Sequence, residues 1–569
     1  MGTHIAFARL FRRQHTLAHF RVLAALGCAF AIGCGTVSGE ENDGTEGATE
    51  EEPSDGLASS LSGTGLAEET DEIEANTVEK NGTAEQCEKC LDVTPRPTPR
   101  DNRRKLQTCL SQCALTTLAP GAVFDLPLSI TVPSGATLTT AGATANSNWA
   151  ELREVADTEG TPPSARFGSS RIVNLCSKTD SPGCDSGSKN VGGTVRFLKL
   201  NVNNKHKNAN GNMVLYMEGA NNLAEHVDIF NPLEASNIPR CGATFGPAIP
   251  IFGTMFYRTK VDGRWMPSHD NTLRHSKIRG TSMGVFFHQV LPKESNNVVD
   301  DVEISMVRAN PVTFGGFGKL KNSHIHDNGW CVGDGLNGGA IYCARDHIGG
   351  ELINNKIHDA CRDVIDFDDC WNFSFIGNHL YNPGTRTFPG PVAAEPQCNA
   401  SQTMRLGVPH NDIIKNNVVE NKNRPWNTVG SQFRTRGDRF SAAGAAPFSD
   451  LPNGTSQSLA MLLVRRPDQR TLTTEGNSFT GNTFTANCNG PGCVGMGYFT
   501  MRGTGLDAQG RWSAATTNAF RDNNVNGSTL TSRRCGANWF SGNSDDSKHE
   551  GQSHGVSHSS FHTCDCRNY

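Results

Sequence analysis

The chain has 569 residues and a formal net charge of −5 at pH 7. This length allows several ordinary domains, although a repeat array that grows along one axis needs no such division. Basic residues slightly outnumber acidic ones after position 86, which mildly favours an anionic partner but is too weak and diffuse for a nucleic-acid-binding protein. We therefore predict no nucleic-acid partner.

The first 34 residues are typical of an export signal. They contain four arginines and no acidic residue, and their apolar run from Val22 to Ile32 is too short to span a bilayer permanently. The tetrapeptide Ala-Ile-Gly-Cys that ends at Cys34 resembles a bacterial lipobox. This resemblance implies lipidation of Cys34 and anchoring to the outer leaflet of a bacterial membrane, at the outer membrane or cell surface. A competing tetrapeptide ends at Cys28, and ordinary cleavage with release is the alternative.

Residues 35–86 have a different composition. They hold fifteen acidic residues and one basic residue, Lys80, with many Gly, Ser and Thr. Such a segment cannot bury enough apolar surface to fold. We therefore predict a disordered acidic tether that holds the folded part off the membrane.

The chain has nineteen cysteines, which indicates an oxidising compartment. In residues 87–117, Cys87 and Cys90 precede a proline-rich turn, and Cys109 and Cys113 follow it. Each pair lies on one face if its segment is helical, which predicts a small helical hairpin stapled by two disulfides. A closed four-cysteine zinc site is the alternative.

A short motif recurs along the centre of the chain. It consists of an apolar residue, two or three further residues, Ser or Asn, one residue and another apolar residue. Successive copies, of which the second lacks the polar residue, end at Ile278, Ile304, Ile325, Ile357 and Leu380, with spacings of 26, 21, 32 and 23 residues. Such a period indicates small units that bury a continuous core only when stacked.

Short alternating strands broken by Asn and Gly predict an all-β solenoid. The motif, with its stacked polar positions, resembles the right-handed parallel β-helix of the pectate-lyase-like superfamily. The resemblance implies a β-helix over residues 118–534, followed by a Cys-, Ser- and His-rich cap or tail over 535–569, in a monomeric protein. The motif residues predicted to form a structural ladder are Asn355, Asn378, Asn417 and Asn482.

A second strand follows each motif copy, and these strands align with one another. Period-two alternation predicts an outward column of Phe286, Thr313, Tyr342 and Asp366, because their neighbours Val285, Phe287, Ile365 and Phe367 point inward. A flanking outward column begins at His288 and ends at Asp368. Parallel strands lie about 4.8 Å apart, so these side chains are predicted to form one patch.

The patch predicts a polysaccharide-active site. Phe286, Tyr342 and His288 are the predicted substrate-binding residues, since aromatic rings pack on sugar rings. Four aspartates in seven residues repel one another unless a cation compensates, and carboxylates are the ligands that Ca²⁺ prefers. The predicted calcium ligands are Asp363, Asp366, Asp368 and Asp369.

Resemblance to the polysaccharide lyases of the superfamily implies calcium-assisted β-elimination on an acidic glycan. A base would remove the proton next to the sugar carboxylate. The candidate catalytic residues are His347, Arg345, His326, His358 and Arg465. Histidine is the easier base, because arginine resists deprotonation below a pKa of about 12.

Three alternatives stay open at this point. Paired aspartates act as acid and base in glycoside hydrolases, and Asp368-Asp369 resembles their Asp-Asp motif. A non-catalytic surface protein that binds glycan along its flank needs only exposed aromatic residues and loops. The pairs His326-Asp327 and His358-Asp359 are also typical of turns, where such side chains satisfy local backbone groups.

Overall fold

The computed structural model describes residues 82–155, 170–175, 192–203, 212–231, 251–288 without 258, 262–263 and 267, 295–328 without 308, 339–343, 347–360, 363–383 without 369, 403–407 and 411–421, together with short segments between 462 and 564. The chain divides into two units, Met1–Asn76 and Thr77–Tyr569, and every described residue belongs to the second. The predicted signal and most of the predicted tether lie outside the described residues. No described helix is long and apolar enough to cross a membrane.

The described residues form two helices, α1 (Ala84–Glu88) and α2 (Pro99–Gln112), before the strands begin. Helix α2 begins after Thr98, whose hydroxyl accepts a hydrogen bond from the Asp101 amide at 3.2 Å, and Pro99 supplies a preset first turn. Two disulfides, Cys87–Cys113 and Cys90–Cys109, join the segments, which confirms the predicted stapled hairpin over the zinc site.

The described strands follow in chain order: β1 Leu115–Leu118, β2 Val123–Leu126, β3 Ile130–Val132, β4 Thr137–Thr140, β5 Ala150–Glu154, β6 Ser170–Leu175, β7 Thr194–Asn201, β8 Asn212–Glu218, β9 Leu223–Phe230, β10 Ile251–Tyr257, β11 Thr259–Val261, β12 Arg264–Met266, β13 Thr272–Arg279, β14 Met283–His288, β15 Val298–Ser305, β16 Val312–Gly315, β17 Lys319–Lys321, β18 His324–His326, β19 Ile341–Cys343, β20 His347–Ile353, β21 Lys356–Ala360, β22 Ile365–Asp368, β23 Cys370–Ile376, β24 His379–Pro383, β25 Met404–Gly407, β26 Ile413–Lys415, β27 Val418–Asn421, β28 Leu462–Leu463, β29 Ser478–Thr480, β30 Thr483–Ala486, β31 Tyr498–Met501, β32 Ala519–Arg521, β33 Asn524–Asn526, β34 Thr531–Ser532, β35 Gly536–Ser541, β36 Ser544–Asp545 and β37 Ser560–Cys564.

These strands stack as a parallel β-helix, which confirms the predicted fold. A long sheet holds 23 of them and a short sheet holds nine, in the order β25-β22-β19-β16-β14-β10-β8-β6-β3. Each coil places one long strand or two short strands in the long sheet, and coils from β1 to β25 then add one strand to the short sheet. The last described strand, β37, pairs antiparallel with β35.

The predicted polar ladder is present inside the bend of the long sheet. The side-chain oxygens of Asn378, Asn417 and Asn482 each accept hydrogen bonds from the preceding rung, at 2.9 to 3.0 Å, and each amide group also donates to a backbone carbonyl. Asn355 and Asn523 extend the same ladder. Because every donor and acceptor of these buried side chains is satisfied, the ladder fixes the register of successive coils.

A second ladder, which the motif did not predict, precedes the first along each coil. It contains Asn222, Asn271 and Asn297, resumes at Asp412 and Asn477, and is interrupted by Gly318, Gly350 and Phe373. A side chain at either glycine would collide with the rings of Phe287 or Phe373, which belong to the aromatic core. The interruption therefore gives the aromatic core the space that the ladder side chains take elsewhere.

Helix α2 covers the open side of the first coil. It buries Leu106, Cys109 and Leu110 against the core. The Gln107 side chain accepts from the Thr131 amide at 2.8 Å and donates to the Thr131 carbonyl at 3.0 Å, as a neighbouring strand would. The hairpin therefore satisfies backbone groups that an exposed strand edge leaves open.

Candidate active site on the long sheet

The predicted column on the short sheet is confirmed in its register. Phe286 pairs with Thr313, Thr313 with Tyr342, and Tyr342 with Asp366 in successive parallel strands. Asp366 pairs in turn with Arg405 of β25, a strand that the sequence alignment did not include.

The column is not an accessible surface, which corrects the prediction of an open binding patch. Phe286 is only 8% exposed and His288 only 5%, while Asp363 and Asp366 are fully buried. Tyr342 is the most exposed of the three predicted substrate-binding residues and is itself half-buried.

The burial has local causes. Phe286 stacks on Phe252 with ring centroids 5.3 Å apart, and His288 stacks on Tyr257 at 4.6 Å, so these rings pack on neighbouring coils. Gly339 lies against Asp366 so closely that a Cβ atom there would be 2.7 Å from the Asp366 Cβ. Outward direction was therefore predicted correctly, whereas exposure was not.

Several predicted residues lie at or beyond the limits of the described structure. Arg345, Asp369, Arg465 and Cys34 are outside the described residues. His347 begins β20 in the long sheet, in register with Cys370, and Asp368 ends β22 in the short sheet; their side chains are not described. Cys370 forms a disulfide with Cys343, which joins the long sheet to the short one.

The two remaining catalytic candidates, His326 and His358, lie on the long sheet, whereas Asp366 lies on the short one. Ile325 pairs with Ile357, so the two histidines that follow occupy equivalent outward positions, as the sequence predicted. Their rings stack at 5.6 Å, and the His358 ring stacks on Tyr381 of the next coil at 4.4 Å. A second outward column, two residues earlier, carries His324 beside them.

These residues form what we call the histidine cluster: His324, His326, His358, His379 and Tyr381. Each aromatic ring contacts at least one other ring of the cluster at 4.3 to 5.6 Å. His326 is 19% exposed and His358 12%, so both are reachable from solvent yet partly desolvated.

Carboxylates fix the orientation of the imidazoles. His326 Nδ1 lies 2.7 Å from Asp327 Oδ2, and His358 Nδ1 lies 2.6 Å from Asp359 Oδ2. A carboxylate accepts only, so each Nδ1 carries the hydrogen. In its neutral form each ring therefore presents an unprotonated Nε2.

A contact between two imidazoles fixes the tautomer of His324. His324 Nε2 lies 2.8 Å from His358 Nε2, and the neutral His358 nitrogen is an acceptor. His324 must therefore donate through Nε2, which leaves its Nδ1 unprotonated. The result is a chain of hydrogen bonds from His324 through His358 to Asp359, which also accepts from Asn382 at 3.1 Å.

Burial keeps this chain neutral. Desolvation, followed by the nearby charges of His326 and His358, lowers the pKa of His324 to about 4. Desolvation also lowers the pKa of His358, although its hydrogen bond to Asp359 opposes the shift. Desolvation raises the pKa of Tyr381, so its phenol is protonated at neutral pH.

Charged side chains surround the cluster. Glu303 lies 3.6 Å from His326 Nε2 and forms an ion pair with Lys277 at 2.8 Å. Lys356 is exposed in the same outward column as His324, and Glu420 lies 3.0 Å from His379. The site therefore offers basic nitrogens, a phenol and lysine cations on one face, which suits proton transfer at a bound polyhydroxylated molecule.

The described residues do not assemble a metal site. No group of three or more His, Cys, Asp or Glu among them is placed to hold a metal ion. Asp363 and Asp366, the two predicted calcium ligands whose side chains are described, are fully buried. This half of the predicted set does not fit calcium by itself, so no chemical step is assigned to the metal.

Sequence reasoning missed His324, His379 and Tyr381. The signal was available in part, because Tyr381 lies at the same offset after the motif polar residue as the selected His326 and His358, and His324 and His379 share another offset. Ser323-His-Ile-His326, Asn355-Lys-Ile-His358 and Asn378-His-Leu-Tyr381 align without gaps.

No protein-family model matches this chain, and no curated protein matches its sequence. Its structure is similar to a mannuronan C-5 epimerase A-module of Azotobacter vinelandii, with 10% identity and a TM-score of 0.33 over 82% of this chain and 95% of that one. An alginate lyase of Paenibacillus has 15% identity and a TM-score of 0.27 over 58% of this chain and 93% of that one. A surface protein and adhesin of Streptococcus pneumoniae has 9% identity and a TM-score of 0.29 over 75% of this chain and 82% of that one. Such low scores carry no argument about function, and the fold rests on the strand pairings described above.

Proposed function

We propose that the protein is a polysaccharide-active enzyme, a lyase on an acidic glycan, with the histidine cluster as its active site. The observation that supports this proposal is the hydrogen bond between His326 Nδ1 and Asp327, which fixes Nε2 as the basic nitrogen of a half-buried ring. A histidine oriented by a carboxylate is a common general base.

In the proposed reaction, His326 Nε2 removes the proton from the carbon next to the sugar carboxylate. The electron pair left on that carbon forms a double bond as the glycosidic bond on the neighbouring carbon breaks. The leaving oxygen takes a proton, for which the Tyr381 phenol, protonated at neutral pH, is the proposed donor. Lys356 and Lys277 are the cations that would face the substrate carboxylate.

Absorbance near the band of unsaturated sugars tests the proposal, with pectate, alginate and glycosaminoglycans as substrates. We expect new absorbance with at least one glycan and its loss in His326→Gln. His269→Gln is the matched control, because His269 makes the same 2.7 Å contact with the following residue, Asp270, outside the cluster. Absence of new absorbance across the panel would overturn the lyase, and reducing-sugar release without absorbance would indicate a hydrolase.

Calcium binding through Asp363, Asp366, Asp368 and Asp369 stays part of the proposal as a separate question. Titration calorimetry with CaCl₂ compares the wild type with the double variant Asp366→Asn and Asp368→Asn, which preserves side-chain size. Binding that disappears in the double variant supports the assignment. Equal heats in both proteins, or none in the wild type, contradict it.

A non-catalytic glycan-binding surface protein is the second candidate. It is favoured by the mutual stacking of the cluster rings and by the hydrogen bond that occupies His358 Nε2. Saturable binding of a glycan without absorbance change or new reducing ends would support this candidate over the enzyme.

We also propose that Cys34 carries a lipid that anchors the protein to the outer leaflet of a bacterial membrane. Support comes from the lipobox-like tetrapeptide and the acidic segment that follows it. Cys34→Ser should release the protein into the soluble fraction. Persistent membrane association of that variant would contradict the anchor.

A further inference from the structure

A row of aromatic side chains lies on the outer bend of the long sheet, at the end that precedes the histidine cluster. Trp149, Phe197, His226 and His275 occupy one position in four successive coils, since Ala150 pairs with Leu198, Leu198 with Val227, and Arg274 with Glu225. We call these four residues the aromatic strip. Their centroids lie 6.0, 4.8 and 5.2 Å apart in order.

Three of these residues have a left-handed backbone conformation. Phe197, His226 and His275 have φ angles of 54°, 50° and 49°; histidine adopts this region more readily than most residues, whereas it costs free energy for a bulky ring such as that of Phe197. Later coils fill the same position with residue types that accept this region, namely Asp301, Asn322, Asn354, Gly377, Asn416, Gly481 and Asp522. The fold therefore does not need aromatic residues here, and a row of rings kept over consecutive coils, with backbone strain at Phe197, points to another use.

The strip is accessible to a ligand. His275 is exposed, and Trp149, Phe197 and His226 are half-buried. Desolvation lowers the pKa of His226, so its ring is neutral at neutral pH and behaves as part of an apolar row.

Charged columns run along both sides of the strip. Arg196, Glu225 and Arg274 lie one residue before it, and Arg274 holds Glu225 at 2.6 Å. Two residues after it run Glu151, Lys199, Asp228 and Lys277. These columns supply four basic and three acidic side chains along a row only one ring wide.

This arrangement fits a sugar chain better than a protein. A stable protein interface buries about 800 Å² on each partner around an apolar centre, and a single row of rings between charged columns provides no such centre. A sugar chain is narrow, packs its C–H groups on aromatic rings and offers hydroxyl and carboxylate oxygens to charged side chains on both flanks.

We propose that the aromatic strip is a second glycan-contact site, along which a polysaccharide chain lies parallel to the stack of coils. The proposal rests on the glycan partner proposed above but not on chemistry at the histidine cluster. The coil of His326 follows that of His275 by two coils, or about 10 Å along the stack at the usual strand spacing, and His326 lies four residues beyond Asn322, which occupies the strip position in that coil. A long chain that leaves the strip obliquely across the long sheet therefore reaches both sites, whereas a short oligosaccharide occupies only one.

The test uses the full chain with long and short forms of alginate and polygalacturonate. The double variant Phe197→Asn and His226→Asn installs the residue type that later coils use. We expect its affinity for the long polymer, measured by affinity electrophoresis, to fall by about tenfold or more for each ring removed. Its urea midpoint should stay equal or rise, because the backbone strain is relieved. Turnover of a short oligosaccharide should not change.

Asp522→Asn, at the same position in a distant coil, is the matched control and should bind like the wild type. Trp149→Ala removes a ring without left-handed geometry and gives a second measurement if the double variant does not fold. Unchanged affinity in both ring-deleted proteins would overturn the strip while leaving the proposed function intact. A wild type that neither binds nor cleaves any of these glycans would overturn both the strip and the proposed function. If only His326→Gln lost affinity for the polymer, all glycan binding would lie in the histidine cluster and the strip would be overturned.

Discussion

The outer faces of the two sheets carry the same kinds of residue but differ in how far these residues are exposed. On the short sheet, Phe286, His288 and Asp366 point outward but are covered, and aromatic rings pack on the coils beside them. On the long sheet, His326 and His358 point outward in the same way and stay partly exposed, with each imidazole held by a carboxylate. Outward direction is a property of the strand, whereas accessibility depends on what packs above it, so among the described residues it is the long sheet that retains partly exposed histidines held ready for chemistry.

The largest expected difference between the faces is in activity. His326→Gln should lower turnover about 10²- to 10⁴-fold, the usual contribution of a general base, while the urea midpoint stays near that of the wild type. Phe286→Leu on the short sheet should leave turnover unchanged. Rate measurements on the substrate found by absorbance check both, and equal losses in the two variants would remove the distinction between the faces.

The next expected effect is on stability, and it runs in the opposite direction. Phe286→Ala should reduce the free energy of unfolding by about 3 kcal/mol, since it removes a ring packed between Phe252 and the neighbouring coil. Urea denaturation measures the loss. A change below about 0.5 kcal/mol would mean that the short-sheet face is loosely covered and open to ligands after all.

A smaller expected effect concerns the protonation of a buried carboxyl group and its contribution to stability. Asp412 is fully buried in the second ladder, where its Oδ1 accepts from the Phe373 amide at 2.8 Å and its Oδ2 has no hydrogen-bond partner among the described residues. Desolvation raises the pKa of Asp412 well above its usual value, so the folded state binds a proton that the unfolded state has released. Stability from this group is therefore complete below about pH 4 and falls as the pH rises toward the raised pKa.

Asp412→Asn removes that dependence. The variant should be more stable than the wild type by roughly 1–3 kcal/mol at pH 8, because a buried amide is neutral without taking up a proton, with the difference shrinking toward pH 4. Urea denaturation across this pH range measures it. A constant difference would show that Asp412 does not change its protonation on folding.

The smallest effect concerns the protonation of the histidine cluster itself. His324 should stay neutral down to about pH 4, with its hydrogen on Nε2, while His358 carries its hydrogen on Nδ1. Because the pKa of His324 is lowered on folding, its contribution to stability is complete above about pH 6.5 and is lost as the pH falls toward 4. Nitrogen-15 NMR of the imidazole rings reports both tautomer and titration, and a midpoint near 6.5 for His324 would contradict the buried hydrogen-bond chain.

Much of the fold follows from the sequence because its signals are periodic. The closing apolar residues, the ladder from Asn355 to Asn482 and the column from Phe286 to Asp366 all obey strand alternation, which depends on local backbone geometry. Burial of that column was not predictable, since it depends on contacts such as Gly339 against Asp366 that no period encodes. The second ladder escaped notice because Gly318, Gly350 and Phe373 interrupt it.

The candidate site was predictable only in part. His326 and His358 were selected as equivalent residues, and the structure places their rings in contact. The sequence did not show that these histidines lie on a different sheet from Asp366, because that depends on where each coil turns. The roles of His324 and Tyr381 arise from side-chain contacts between coils, and the sequence gives only their register.

The side-chain ladders also bear on how such a chain changes over generations. Each rung hydrogen-bonds to the coil before it and the coil after it, and Asn417 satisfies Asn378 in the same way that Asn482 satisfies Asn417. A coil that is duplicated or deleted between two rungs therefore leaves the remaining pairings intact. Gain or loss of one repeat in the gene would lengthen or shorten the outer columns by about 4.8 Å and leave the core packing of the other coils unchanged. The length of this surface can therefore change readily during evolution.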